Sequence, residues 1–156
     1  MPLDEQDCHI LNALQSDGRQ SIASLAEQLN LSETPCWRRV RRLESSGHIL
    51  GYQARLDRRK LGYGVLAFAQ ISFGDHAGDA PERFEREIAA IPEILSCHNV
   101  SGECDYLLQI VASDLDAYGC FVRDVLRRLP GVTAIRSNLA LREVKASQHY
   151  PIRPSP

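Results

Sequence analysis

The sequence predicts an α+β chain in two parts: an N-terminal winged helix-turn-helix and a C-terminal βαββαβ sandwich of the ferredoxin-like kind. Three observations predict it. Over residues 1–50, apolar residues recur at helical spacing and are interrupted at short intervals by capping and turn residues. Over residues 63–145, β-rich runs and amphipathic stretches follow one another in the order β-α-β-β-α-β. Basic charge gathers between the two: eight basic and two acidic residues lie from Arg38 to Lys60, against nine basic and twelve acidic from Tyr63 onward.

Each element has a local reason. Asp4 caps a first helix, with Asp7 completing a capping-box-like arrangement, and Ile10, Leu11 and Leu14 form its buried face. Asp17-Gly18 ends it. Ser21 caps a second helix whose Ile22, Leu25, Ala26 and Leu29 fall at i, i+3, i+4 and i+7. Asn30-Leu31 makes a tight turn, and Ser32 caps a third helix. Pro35 sits in its first turn, where a missing N–H costs nothing. That helix is expected to run to Ser45 or Ser46, with Gly47 as its stop. Residues 49–56 look extended, so residues 51–62 are expected to hold a wing strand and a basic linker.

In the second half, residues 64–73 are β-rich and apolar, and residues 80–91 form a helix with Phe84, Ile88 and Ile91 on one face. A strand at 94–100, a loop at 101–104 and a strand at 105–112 follow. Asp114 caps a helix expected to turn Leu115, Tyr118, Val122, Val125 and Leu129 inward, and residues 132–144 make the last strand. The turn Ile91-Pro92-Glu93-Ile94 is echoed by Leu129-Pro130-Gly131-Val132, as two βαβ halves would require. Two helices cover one face of such a sheet. The other is left bare, which implies association with a second copy. Residues 146–156 carry three prolines and little apolar mass, and are expected to form a flexible tail.

Composition excludes several classes. At 156 residues and 44% apolar, the chain can bury a core. Five cysteines, an odd number with no C-x-x-C spacing, suit a reducing cytoplasm better than a disulfide framework. The first twenty residues hold no apolar run of the signal-peptide kind. The longest apolar stretch, residues 65–69, is far too short to span a bilayer, so no membrane partner is expected. Neither G-x-S-x-G nor H-E-x-x-H occurs, and Gly62-x-Gly64 lacks the third glycine of a dinucleotide loop. His9, His48, His76, His98 and His149 are scattered. Strand alternation sends Cys97 and His98 to opposite faces, away from a shared zinc site with Cys104. No catalytic site, metal or cofactor is therefore expected.

The third helix carries the informative chemistry. At about 100° per residue, Cys36, Val40, Leu43 and Gly47 fall within roughly 60° of one another, as a packing face. Thr34, Arg38, Arg41 and Arg42 lie opposite, with Trp37 on one flank and Arg39 on the other. Four arginines in five positions, with no acidic residue among them, repel one another unless an anion meets them. Arginine binds guanine bidentately and also binds phosphate, and a helix N-terminus favours an anion. Double-stranded DNA is thus the expected partner. Thr34 and Arg38 would lie nearest the bases, Arg41, Arg42 and the basic linker on phosphates, and Ser32, Pro35, Trp37 and Arg39 at the margin. Edge packing against the wing serves Trp37 equally well.

The run LAEQLNLSETPCWRRVRRLE at 25–44 and GHILGY at 47–52 resemble the helix-turn-helix of the Lrp/AsnC family of transcriptional regulators. VSGECDYLL at 100–108 and LPGV at 129–132 resemble that family's amino-acid-sensing domain. The resemblance spans about residues 3–147. It implies a sequence-specific regulator of amino-acid metabolism or transport genes, dimeric through its C-terminal sheets and assembled further into an octamer or similar. It also implies a small amino-acid effector bound in the C-terminal domain, near Ser101, Gly102 and Asp105 and near Ser137 and Asn138. Asp105 could take an α-ammonium group, or it could fix its own turn. Glu103-Cys104 departs from the family's usual acidic-aromatic pair. A thiol there could respond to a sulfur compound or to oxidation, or simply be a small buried residue. Two other readings stay open: a small-molecule-sensing regulatory subunit acting through protein contacts, and a small monooxygenase-like enzyme, which the lack of an acid/base pair disfavours.

Overall fold

The computed structural model divides into two compact units, Met1–Arg55 with Lys145–Pro156, and Leu56–Val144. It describes residues 2–74, 79–147 and 149–154. Residues 75–78 of the expected second domain, His76 among them, lie outside the described residues, as do residue 148 and the last two residues of the tail.

The first unit is three helices, α1 (Glu5–Ser16), α2 (Ile22–Gln28) and α3 (Glu33–Ser45). The capping box on α1 forms in both directions: Asp7 N–H donates to Asp4 at 2.8 Å, and Asp4 N–H to Asp7 at 3.3 Å. Ser21 accepts from Ser24 N–H at 3.1 Å at the start of α2. Gly47 stops α3 with φ +75°, a left-handed turn in which His48 and Ile49 N–H both reach the Leu43 carbonyl, at 3.0 and 3.1 Å. Cys36, Val40 and Leu43 of α3 pack on Ile10, Ala13, Leu25 and Ala26, so the expected buried face is the real one. Leu11 and Leu14 are only half-buried.

The expected wing is a correction. Residues 50–56 are exposed and form no strand among the described residues. A strand needs a partner edge, and the next residues give none. Residues 57–64 instead close on themselves: Leu61 N–H donates to Asp57, and the Arg58 guanidinium to the Tyr63 and Gly64 carbonyls at 2.8 and 3.0 Å. The described part of the tail makes one reciprocal contact. Tyr150 N–H donates to Gln15 Oε1 and Gln15 Nε2 donates back to the Tyr150 carbonyl, each at 3.0 Å. These are bonds between a side chain and the backbone at the exposed surface.

The second unit runs β1 (Val65–Phe73), α4 (Ala80–Ala89), β2 (Ile94–Asn99), β3 (Tyr106–Ala112), α5 (Leu115–Asp124), a 3₁₀ turn (Leu126–Arg128) and β4 (Val132–Leu139). The sheet order is β2-β3-β1-β4 and every neighbouring pair is antiparallel. This is the expected βαββαβ sandwich. Its core is Ala67, Ala69, Ile71, Leu108 and Ile110 from the sheet, under Phe84, Ile88, Tyr118, Leu126 and Leu129. Phe73, Phe84 and Tyr106 pack as an aromatic cluster with centroids 4.7 to 5.4 Å apart.

Two details depart from expectation. Leu115, the first residue of α5, is 60% exposed rather than inward. The α-helix stops before Val125, and the tighter 3₁₀ turn shifts the phase so that Leu126 enters the core fully buried. The last strand ends at Leu139, not residue 144. Leu139 pairs with Ala67 and Ala140 N–H reaches the Leu66 carbonyl, after which little of β1 remains to pair with.

Candidate nucleic-acid interface and effector site

Helix α3 exposes Ser32, Thr34, Pro35, Trp37, Arg38, Arg41 and Arg42, with Arg39 half-buried. Ser32 occupies the N-cap, but its hydroxyl makes no cap bond. First-turn amides of α3 therefore lack a side-chain cap, a local preference for an anion.

The arginines divide into three groups, and here the sequence expectation is corrected. They do have acidic partners, supplied by α1. Arg42 donates to both carboxylate oxygens of Asp7 at 2.6 Å. Arg39 donates to Asp7 at 2.8 Å and to Asp4 at 2.6 Å. Asp7 is 1% exposed, so its charge is tolerable only because these two guanidinium groups neutralise it. The Arg39 guanidinium and the Asp7 N–H hold the Asp4 carboxyl below its usual range. Arg41 donates to Glu44 at 3.2 Å and stacks 5.8 Å from the Trp37 ring. Arg38 is exposed and has no hydrogen-bond, ion-pair or ring partner among the described residues.

Trp37 and Arg41 also line a cleft of about 310 Å³ with Leu14, Ile22, Val40, Glu44 and Tyr52. The Tyr52 hydroxyl donates to Glu44 at 3.1 Å, so the residue meant for the wing packs beside α3 instead. Burial, then Glu44, raise the Tyr52 phenol above its ordinary value. Within the linker, Arg55 donates to the Ala146 carbonyl and Arg58 to Tyr63 and Gly64. Both are thereby taken from the phosphate-holding set the sequence suggested, while Arg59 and Lys60 stay exposed.

In the second unit, Ser101 and Gly102 are exposed on the loop from β2 to β3. Gly102 has φ +131°, which few side-chain-bearing residues adopt. Asp105 is a structural anchor: its N–H donates to the Ile71 carbonyl at 2.8 Å and its carboxylate accepts from Phe73 N–H at 2.7 Å. Its carbonyl accepts from Val100 N–H and from the Asn99 side chain. The loop thus hangs from the end of β1. Ser137 and Asn138 are neighbours on β4 and point to opposite faces. The Ser137 hydroxyl accepts from Tyr118 at 2.7 Å on the helix side, whereas Asn138 pairs with Phe68. The chain does not gather these five residues into a single pocket. Instead Arg136 reaches the loop, donating to Glu103 at 3.3 Å. Among the described residues no group of three metal-ligating side chains occurs, and no helix is long and apolar enough to cross a membrane.

Sequence reasoning placed Asp7 in the cap but missed its ion pairs, and it missed Leu126 and Arg136. For Asp7 a signal existed: a carboxylate on the buried side of α1 needs a cation, and the arginine run supplies one.

Comparison with known proteins places this geometry. Residues 3–44 match the AsnC-type helix-turn-helix domain and residues 66–150 the Lrp/AsnC ligand binding domain. The chain is 42% identical over 150 residues to the Bkd operon transcriptional regulator of Pseudomonas aeruginosa, covering 96% of this chain and 98% of the relative. It is 42% identical over 151 residues to the leucine-responsive regulatory protein of Escherichia coli, covering 97% and 92%. A crystal structure of a Neisseria meningitidis transcriptional regulator in complex with L-methionine superposes with a TM-score of 0.92 at 38% identity, covering 96% of each chain. Helix-turn-helix, four-stranded sheet and sequence thus agree: this chain belongs to the Lrp/AsnC family of transcriptional regulators.

Proposed function

We propose that this regulator is cytoplasmic, binds promoter DNA through α3, and answers to a small amino acid held by its C-terminal unit. The exposed, unpartnered guanidinium of Arg38 carries the reading: on a helix whose other arginines have carboxylate partners, it is placed to bond a guanine edge or a phosphate. Thr34 stands about one turn before it, and the Ser32 hydroxyl lies at the open end of the helix. Exposed Trp37 and Arg41 flank it. An amino acid suits the effector because relatives include a leucine-responsive protein and an L-methionine complex. The Ser101–Asp105 loop supplies backbone amides for a carboxylate, with Asp105 for an ammonium group. Ser137 and Asn138 would join it only across an assembled interface.

The proposed homodimer, assembling further toward an octamer, is supported by the sheet face opposite the helices. That face carries Phe68 at 36% exposure beside Leu107, Gln70, Gln109 and Asn138. The genes served would be those of amino-acid metabolism or transport.

Fluorescence anisotropy with a duplex selected by the protein itself, over a salt series and with each of the twenty amino acids, tests the reading. Affinity should fall linearly in log–log form with salt, and at least one amino acid should shift it or shift the mass seen by light scattering. Asp105→Asn, which keeps an oxygen for Phe73 N–H, should lose that response and keep DNA binding. Binding that ignores salt would instead favour a regulator working through protein contacts.

A further inference from the structure

We infer that Asp7 is a positioning residue for nucleic-acid recognition: it holds Arg39 and Arg42 on the protein side of α3, leaving Arg38 to read the duplex. This rests on the DNA reading above and decides which arginines take part in it. Arg42 engages both oxygens of Asp7 at 2.6 Å, and Arg39 bridges Asp7 and Asp4 at 2.8 and 2.6 Å. The Asp7 side chain is 1% exposed. For either guanidinium to move to a phosphate, charge-assisted bonds would break and a buried carboxylate would lose part of its neutralisation. A phosphate contact at the solvent-exposed helix surface does not offset that loss, because water and salt screen it. Arg38 has no such bond to give up.

The same clamp fixes the roll of α3. Arg39 and Arg42 lie one turn apart and meet a single carboxylate on α1, so the helix is pinned by charge as well as by Cys36, Val40 and Leu43. With about 100° between successive residues, a small rotation of α3 would carry Arg38 and Thr34 off the base edges. Asp7 therefore sets two things: how many positive charges face the DNA, and which way they point. It also removes the repulsion among clustered arginines before any DNA arrives.

The full chain tests this by anisotropy against a self-selected duplex and a scrambled one of equal length, each over a salt series. Arg38→Gln should lower the preference for the selected duplex and reduce the log–log salt slope by up to about 0.9, the amount one phosphate-neutralising cation accounts for. Arg42→Gln should leave the slope unchanged while lowering the melting temperature. Asp7→Asn keeps an acceptor for Asp4 N–H, releases Arg42 and leaves Arg39 with Asp4 alone. It should steepen the slope by up to about 0.9 per arginine and narrow the preference for the selected duplex. The proposal is overturned if Arg42→Gln flattens the slope as Arg38→Gln does, or if folded Asp7→Asn changes neither slope nor preference. Should Asp7→Asn not fold, the Arg42→Gln and Arg38→Gln pair decides alone. A wild-type protein with no salt slope at all removes the DNA reading itself, and this role with it.

Discussion

Single side chains in this protein take their roles from what stands opposite them. Asp4 and Asp7 share one capping box, yet Asp4 is half-exposed and Asp7 is sealed between two arginines. The capping half of that arrangement was legible from spacing along one helix. The ion pairs were not, because they join residues some 35 positions apart. Tyr106 shows the same dependence on surroundings. Its hydroxyl donates to Glu85 at 2.8 Å, and burial, then the Glu85 carboxylate, push its phenol from 10.0 up to about 12. Folding thus favours the protonated phenol. Its contribution to stability is full below about pH 10, the unfolded value, and is lost as pH rises through about 12. A spectrophotometric titration of tyrosinate should show a late phase that Tyr106→Phe removes. An unchanged titration in that variant would place the late phase elsewhere.

At the level of elements, most of the architecture could be read from the chain, since caps, glycine stops and apolar period act locally. Ser21, Gly47 and Asp114 each do what their position in sequence suggests: Asp114 accepts from Ala117 N–H at 2.7 Å to start α5. Where sequence reading failed, tertiary context decided. Residues 50–56 have strand-like composition but no partner edge. The helical phase drawn through Val125 ignored the change to a 3₁₀ turn, which brings Leu126 into the core, while Leu115 in the first turn of α5 stays exposed. Strand β4 outlasted its partner β1 on paper only. The difference in burial has a measurable consequence. Leu126→Ala should cost about 2–5 kcal/mol of unfolding free energy, while Leu115→Ala should stay within about 0.5 kcal/mol. Equal effects in chemical denaturation would contradict the observed phase.

Across the whole molecule, charge and apolar surface are sorted by task. Net charge is −2, so attraction to DNA rests on local placement and not on overall polarity. The helical unit presents Arg38 with a salt-paired arginine group behind it, and the sheet unit offers a partly apolar face and a loop hung from Asp105. The residues proposed for the effector were legible as a loop but not as a pocket, since strand alternation parts Ser137 from Asn138. The proposal that the surface of α3 meets DNA is addressed most directly by one comparison: the affinity of Arg38→Ala and of the native protein for the self-selected duplex at one salt concentration. Loss of roughly 1–3 kcal/mol of specific binding, with the melting temperature unchanged, is the expected result. Equal affinity in a folded variant would show that the free guanidinium of Arg38 does not meet DNA.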